Sequence, residues 1–162
     1  MITSVRNAFL KLMRIVRPDS APLRILIVDD EDAVRRFVQR VLSSAGVETW
    51  SAGGPLEALE VAQRIGRFDL LLTDLMMPTM NGDEMARRLR CDDPALKILY
   101  LTGFSDRLFA ERMTLWENEA FLDKPCSIDG LLEAVSLAIY GHTTGLIRAA
   151  TAVAQDIPAS AA

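Results

Sequence analysis

Short runs of apolar residues alternate along this chain with longer segments in which apolar residues recur every three or four positions. The short runs predict buried β-strands, and the longer segments predict amphipathic helices. Their regular alternation is typical of parallel βαβ units, so we predict an α/β protein. The predicted strands are Arg24–Val28, Val47–Ser51, Phe68–Thr73, Lys97–Leu101 and Ala120–Leu122.

The helix boundaries follow from residues that favour the first or last turn of a helix. Gly46 and Gly66 are suited to end the first two helices, and Pro55 is tolerated in the first turn of the second. Ser127 is a plausible cap for the last helix. The predicted helices are Asp32–Ser44, Leu56–Ile65, Asp83–Arg90, Asp106–Glu117 and Ile128–Tyr140.

The size and composition of the chain favour one folded domain with short tails. Its 162 residues are 50% hydrophobic and 25% charged, which is enough for one core of ordinary size. We assign residues 23–141 to that domain, residues 1–22 to an N-terminal amphipathic helix and linker, and residues 142–162 to a C-terminal tail. The tail is too short for a DNA-binding or catalytic output domain, and we expect its single histidine, His142, to be solvated.

The N-terminal segment has an apolar stripe at near-helical spacing. Such a helix has three possible roles: it packs on the domain, pairs with a second copy, or touches a membrane surface. We favour packing on the domain or dimer formation over contact with a membrane. The segment cannot span a bilayer, because its apolar stretch is short and interrupted by charged residues. The stripe consists of Val5, Phe9, Leu12, Met13 and Val16, with Arg6, Lys11, Arg14 and Arg17 between them.

Charge and cysteine content narrow the function classes. A formal net charge of −4 gives no overall attraction to nucleic acid, so no direct nucleic-acid partner is expected. The two cysteines, Cys91 and Cys126, fit neither a disulfide framework nor a zinc motif. The segment near the N-terminus also lacks a signal-peptide cleavage pattern. We therefore expect a cytoplasmic protein.

Polar residues stand where four of the predicted strands end. Asp29 and Asp30 follow the first strand, Asp74 follows the third, Thr102 follows the fourth and Lys124 follows the fifth. Ligands of open parallel sheets bind at the carboxyl ends of the strands, so these side chains are expected to form one site. Three carboxylates, a hydroxyl and an ammonium suit a hard cation and a phosphoryl group.

Each of these residues also has an ordinary structural explanation. Asp30 and Glu31 stand at the start of a helix, where acids favour the positive end of the helix dipole. Asp74 alone is compatible with a turn residue, and Lys124 alone with a solvated charge before a proline. Their joint occurrence at successive strand ends favours the common site.

Four motifs in order, "ILIVDDED", "DLLLTDLMMPTMNG", "ILYLTG" and "AFLDKP", resemble the receiver domain of two-component response regulators, the chemotaxis-type or CheY-like domain. The resemblance covers about Leu23 to Gly141. It implies a flavodoxin-like doubly wound sheet with strand order 2-1-3-4-5 and five helices. It also implies a bacterial phosphorelay protein, and the short tails favour a single-domain regulator, although a piece of a larger hybrid kinase is an alternative.

The resemblance assigns Asp74 as the phosphoacceptor in a Mg²⁺-dependent reaction. It implies that Asp30 binds Mg²⁺ directly and Asp29 through water, while Asp74 and the backbone carbonyl of Met76 complete the protein ligands. A divalent ion suits this chemistry because two anions must meet, and Mg²⁺ prefers oxygen ligands.

Lys124 and Thr102 are expected to contact the phosphoryl oxygens, the first as a compact charge and the second as a hydrogen-bond donor. Phe121 stands where relatives often have an aromatic switch residue that moves inward with the threonine, and a purely structural core position is the alternative. We expect the Asp106–Glu117 helix and the strand after it to form the surface for a downstream protein, although the apolar residues of that helix also suit a core position. Phosphate is expected from a sensor histidine kinase or a histidine phosphotransfer protein, and a homodimer is possible.

The chain departs from the usual family pattern at three positions, two of which concern turnover of the acyl phosphate. Met76 and Phe104 stand at positions that commonly tune hydrolysis of the acyl phosphate, and neither side chain can orient water by hydrogen bonding. This predicts slow self-dephosphorylation. Cys126 stands where many relatives have phenylalanine, and a redox role is disfavoured because no resolving thiol is evident.

Two other functions remain as alternatives. A hydrolase with an aspartyl-phosphate intermediate, as in haloacid dehalogenase-like phosphatases, would have a second acid where this chain has Met76. A phosphate-independent adaptor would be favoured by loss of an acid, the threonine or the lysine, all of which are present. We therefore expect a signalling switch rather than an enzyme.

Overall fold

A computed structural model of the chain describes residues 6–11, 21–103 and 117–141. Its centre is one five-stranded sheet of order β2-β1-β3-β4-β5, in which every neighbouring pair is parallel. This is the predicted flavodoxin-like order. The strands are β1 (Arg24–Val28), β2 (Glu48–Ala52), β3 (Leu70–Thr73), β4 (Lys97–Thr102) and β5 (Glu119–Asp123).

Helices connect these strands and cover both faces of the sheet. Besides the helical residues 6–11, four helices lie within the described ranges: α1 (Asp32–Ser44), α2 (Pro55–Ile65), α3 (Gly82–Asp92) and α4 (Ile128–Tyr140). The predicted helix Asp106–Glu117 falls almost entirely outside the described residues. In residues 6–11, 21–103 and 117–141, no helix has the length and hydropathy needed to cross a membrane.

The core has two layers because successive residues of a strand point to opposite faces of the sheet. Ile25 and Ile27 of β1 pack in the layer under α1 and α4, whereas Leu26 and Val28 pack in the layer under α2 and α3. All four are completely buried. Burial on both faces explains why the inner strands are continuous apolar runs rather than alternating ones.

Local signals place most helix ends as predicted. The Ser127 hydroxyl accepts a hydrogen bond from the backbone N–H of Gly130 at 3.0 Å and caps α4. Pro55 is the first residue of α2, and Gly66 ends that helix with a φ of 70°, a conformation that favours glycine.

The boundaries of the other four strands differ from prediction by one or two residues, whereas β1 has the predicted range. Val47 belongs to the turn after α1, since its N–H donates to the carbonyl of Leu42, so β2 begins at Glu48. At the other end of the sheet, β4 extends to Thr102, which pairs with Asp123 of β5. The longer β4 brings the Thr102 side chain to the edge where the predicted site lies.

Residues 6–11 are helical and pack against the domain. Ala8 and Phe9 are buried, and Phe9 is part of the core layer under α1 and α4. This contact agrees with the packing alternative for the N-terminal helix. The rest of the predicted apolar stripe, including Val5 and Leu12, lies outside the described residues.

Candidate functional site

The sheet brings the predicted site residues to one edge. Asp29 follows β1, Asp74 follows β3 and Lys124 follows β5. The N–H of Asp74 donates to the carbonyl of Val28 at 2.9 Å, and that of Lys124 donates to the carbonyl of Thr102 at 3.1 Å. These bonds extend the strand ladder by one residue and fix where each functional side chain begins.

The Lys124 ammonium is the centre of the site. Its Nζ lies 2.8 Å from Oδ2 of Asp29, 3.2 Å from Oδ2 of Asp74 and 3.2 Å from Oε1 of Glu31. Burial alone would lower the pKa of Lys124, but the contacts with these three carboxylates outweigh it and raise the pKa. Lys124 is therefore a permanent cation in this site.

Asp29 is the most deeply buried acid of the group, with 2% of its surface exposed. Its Oδ1 accepts the N–H of Glu31 at 2.8 Å, which closes an Asx turn before α1. Its Oδ2 is buried and accepts no aligned hydrogen bond from the described residues, although the Lys124 ammonium is beside it. Burial raises the pKa of Asp29, and the contacts with Lys124 and the Glu31 N–H oppose this shift.

Asp74 is held at the start of a tight loop. Its Oδ1 accepts the N–H of Met76 at 3.3 Å, while its Oδ2 faces Lys124. The loop returns to Gly82, the first residue of α3, whose N–H donates to the carbonyl of Leu75 at 2.8 Å. A side-chain carbon at position 82 would lie only 2.0 Å from the carbonyl oxygen of Asp74, so the loop requires glycine there.

The carboxylates of Asp29, Glu31 and Asp74 fit a hard divalent cation. One oxygen from each lies within 4.8 Å of the others, and Asp29 adds a buried oxygen without an aligned donor. Carboxylate oxygens are the donors that Mg²⁺ prefers, and an exposed acid leaves room for retained water. The donor set is therefore suited to magnesium.

Glu31 is a member of this group that sequence reasoning did not assign to the site. Asp30, predicted as a direct metal ligand, is exposed and is not part of the group within 4.8 Å. The difference arises because the Asx turn at Asp29 brings Glu31 back over the end of β1. The signal in the sequence was an aspartate two residues before a glutamate at a helix start.

Thr102 and Phe121 lie on β4 and β5, the last two strands of the sheet. Thr102 is fully buried at the end of β4. Phe121 of β5 is partly buried, stands beside Tyr100 of β4 in the strand register, and packs against the core layer under α2 and α3. The predicted partner surface on Asp106–Glu117 lies outside the described residues except for its last residue.

Comparison with known proteins gives a consistent match. The family model for the response regulator receiver domain matches residues 25–136. Sensor kinase CckA of Brucella abortus is 34% identical over 117 residues, which are 72% of this chain and 12% of that protein. The response regulator receiver protein CpdR of Brucella abortus is 43% identical over 82 residues, which are 51% of this chain and 68% of CpdR.

A solved structure shows the same fold with ligands bound. Response regulator protein TrrA of Thermotoga maritima, crystallised with Mg²⁺ and BeF, is similar with a TM-score of 0.62 and 31% identity. The match covers 72% of this chain and 98% of the TrrA chain. The similarity therefore spans nearly the whole of that protein, whereas this chain corresponds to a small part of the sensor kinase.

Proposed function

The chain belongs to the response regulator receiver domain family, the switch module of two-component signalling that is phosphorylated on aspartate, and we propose that Asp74 is its phosphoacceptor. The donor would be the phosphohistidine of a sensor kinase or of a histidine phosphotransfer protein. The output would be a change in binding to a downstream protein. The observation that carries this proposal is the convergence of Lys124 on Asp29 and Asp74.

Asp74 is suited to the role because its carboxylate is held in a fixed orientation. The Met76 N–H and the Lys124 ammonium contact different oxygens of the carboxylate, which fixes its orientation. The reaction would form a bond between an Asp74 oxygen and phosphorus while the bond from phosphorus to the histidine nitrogen breaks. Catalysis of this kind depends on positioning and charge neutralisation rather than on a strong base.

Receiver domains bind Mg²⁺ at an acidic site, and the carboxylates of this chain fit that ion. We propose that Asp29, Asp30, Asp74 and the carbonyl of Met76 hold it, with Glu31 beside them. When bound, the ion would offset the repulsion between Asp74 and the incoming phosphoryl group. The fold of this chain contributes by placing these acids close together at the ends of β1 and β3.

Lys124 and Thr102 would hold the phosphoryl group after transfer. The ammonium would turn toward one phosphoryl oxygen, and the Thr102 hydroxyl would donate to another. Inward movement of Thr102 would leave room for Phe121, which lies one strand away. We propose that this exchange alters the surface formed by β5 and the Asp106–Glu117 helix.

Two further properties follow from the residues near Asp74. Since the Met76 side chain cannot orient an attacking water, we propose that the acyl phosphate of the isolated protein is long-lived. The two cysteines are free of disulfides, which suits the reducing cytoplasm. A homodimer remains a further proposal for the assembled protein.

The test is the intact mass of the protein after incubation with Mg²⁺ and acetyl phosphate. We expect a gain of one phosphoryl group that requires Mg²⁺ and is absent in Asp74→Asn. The matched control is Asp92→Asn, an exposed acid at the end of α3, which should be phosphorylated like the unaltered protein. Failure of the unaltered protein to gain mass, or an unchanged gain in Asp74→Asn, would contradict the proposal.

A further inference from the structure

Glu31 has a contact that the proposed function does not use. Its Oε1 lies 3.2 Å from the Lys124 ammonium, although the two residues are 93 positions apart in sequence. The Glu31 side chain is 63% exposed, whereas those of Asp29 and Asp74 are almost completely buried. Among the three carboxylates around Lys124, Glu31 is therefore the one that can separate from the ammonium most easily, because water can solvate it.

The number of donors on Lys124 makes this contact consequential. An ammonium has three N–H donors, and that of Lys124 donates to Oε1 of Glu31 and to Oδ2 of Asp74, while Oδ2 of Asp29 lies 2.8 Å away as an ion-pair partner. A phosphoryl oxygen that approaches Lys124 therefore competes with these carboxylates for the ammonium. Displacement of Asp29 or Asp74 would leave a buried carboxylate without its cation, which is costly.

We propose that Glu31 is a positioning residue that holds Lys124 among the carboxylates and competes with the phosphoryl group for it. This inference rests on the proposed function. In the unphosphorylated state, Glu31 accepts a hydrogen bond from the Lys124 ammonium. When the phosphoryl group arrives, Glu31 moves into solvent and Lys124 turns to a phosphoryl oxygen.

The geometry of the turn before α1 supports such a movement. The Glu31 backbone is fixed by its N–H bond to Asp29, so only the side chain needs to rotate. Among the described residues, Lys124 is the one side chain that donates a hydrogen bond to the Glu31 carboxylate. Release of Glu31 therefore exchanges one ion pair for solvation without disturbing the helix.

The test compares binding of beryllofluoride, an analogue of the phosphoryl group, at saturating Mg²⁺ in four forms of the full chain. The variants are Glu31→Gln, which removes the charge, Glu31→Asp, which keeps the charge but shortens its reach, and Asp32→Asn. Bound beryllofluoride is measured by ¹⁹F NMR. Mg²⁺ binding without beryllofluoride is measured separately by calorimetry.

We expect Glu31→Gln and Glu31→Asp to bind beryllofluoride about two- to fivefold more tightly than the unaltered chain, as is ordinary for loss of a partly exposed ion pair. Asp32→Asn removes an equally exposed acid that pairs with Arg35 and Arg36, so its affinity should not change. In the absence of beryllofluoride, Glu31→Gln should weaken Mg²⁺ binding through loss of charge, whereas Glu31→Asp should not.

Three outcomes would overturn the inference alone, provided that the unaltered chain binds beryllofluoride. These are unchanged or weaker binding in both Glu31 variants, a gain in Glu31→Gln that Glu31→Asp does not share, and an equal gain in Asp32→Asn. A gain seen in Glu31→Gln alone would mean that Glu31 acts through its charge and not through its contact with Lys124. Failure of the unaltered chain itself to bind beryllofluoride would overturn the proposed function and the inference together.

Discussion

At the scale of single residues, the site depends on how closely the loop after Asp74 approaches α3. Gly82 permits that approach, because any side-chain carbon there would overlap the Asp74 carbonyl and lie 3.1 Å from the Thr73 hydroxyl. That hydroxyl already donates to the same carbonyl at 2.9 Å. The position of Asp74 is thus determined by a residue eight places further along the chain.

Replacement of Gly82 by alanine should therefore displace the loop. We expect Gly82→Ala to lower the free energy of unfolding by about 1–3 kcal/mol, because overpacking outweighs the better helix propensity of alanine. Beryllofluoride binding should fall with it. Denaturant unfolding is the measurement, with Gly54→Ser as control, since a side chain at Gly54 meets no atom within 4 Å. Equal stability of Gly82→Ala and the unaltered chain would contradict the close approach.

The two cysteines should differ in reactivity. Burial raises the pKa of Cys126, an effect that exceeds the opposing influence of its own backbone and of Lys124, whereas Cys91 is exposed. A raised pKa means less thiolate near pH 8, so iodoacetamide should alkylate Cys126 several-fold more slowly than Cys91. The difference between the two alkylation rates should become smaller as the pH rises. Peptide mass spectrometry measures both alkylation rates. In Cys91→Ser, only the slow alkylation of Cys126 should remain.

Sequence reasoning named the strand-end residues but not all their partners. Asp29, Asp74 and Lys124 could be predicted because each directly follows an apolar strand. The spacing of Asp29 and Glu31 indicates the turn between them, but the approach of Glu31 to Lys124 also depends on the order of strands in the sheet, so this contact was not predicted. The assignment of Asp30 to the metal stays a prediction.

At the scale of elements, Arg90 joins α3 to the starts of β4 and β5. Its guanidinium donates to the carbonyl of Leu96 before β4 and to Oε1 of Glu119 at the start of β5, each at 3.1 Å. The Glu119 carboxylate is buried and also accepts the Tyr100 hydroxyl at 3.3 Å. These contacts fix the strand that carries Phe121 and leads to Lys124.

Loss of the Arg90 side chain should be much more harmful than loss of a neighbouring arginine. We expect Arg90→Ala to destabilise the protein by about 3 kcal/mol, because it removes the cation paired with a buried carboxylate. Arg88→Ala on the same helix breaks only an exposed pair with Glu84 and should cost about 0.5 kcal/mol or less. Thermal or denaturant unfolding measures both. Similar losses in the two variants would show that the Arg90 contacts add little.

The elements themselves were largely predictable from the sequence. The ranges of β1, α1 and α4 agree with prediction, since strong apolar periodicity and clear end signals mark them. β2 begins one residue later than predicted because Val47, although apolar, lies in the turn after α1 and not in the strand. Apolar character identifies a buried position but does not distinguish a strand from a buried turn.

At the scale of the whole molecule, the folded unit extends beyond the part that resembles the family. Phe9 is 1% exposed and belongs to the same core layer as Leu23, Val38 and Ile139. Leu10 comes within 3.5 Å of a side-chain carbon placed at Gly46. Residues 6–11 therefore contribute to the stability of the domain.

Truncation of Phe9 tests this contribution. We expect Phe9→Ala to lower the free energy of unfolding by about 3–4 kcal/mol, as is usual for removal of a buried aromatic ring. Asn7→Ala alters an exposed position of the same helix and should change stability by about 0.5 kcal/mol or less. If Phe9→Ala were as stable as Asn7→Ala, the helix would not be part of the folded unit.

The global arrangement was predictable only in part from the residues themselves. Alternating strands and helices indicate a parallel sheet, but not the order of its strands, because several orders satisfy the same alternation. The order 2-1-3-4-5 came from the resemblance, and the structure has it. That order places β1 between β2 and β3, which is why Asp29 and Asp74 meet.

The most direct test of the account is to locate the phosphoryl group. The protein is incubated with Mg²⁺ and acetyl phosphate, treated with borohydride to reduce any acyl phosphate to an alcohol, and digested for peptide sequencing by mass spectrometry. We predict that Asp74 is converted to homoserine and that Asp29, Asp30 and Glu31 are unchanged. A reduced residue at one of those three positions, or none at all, would contradict Asp74 as the phosphoacceptor.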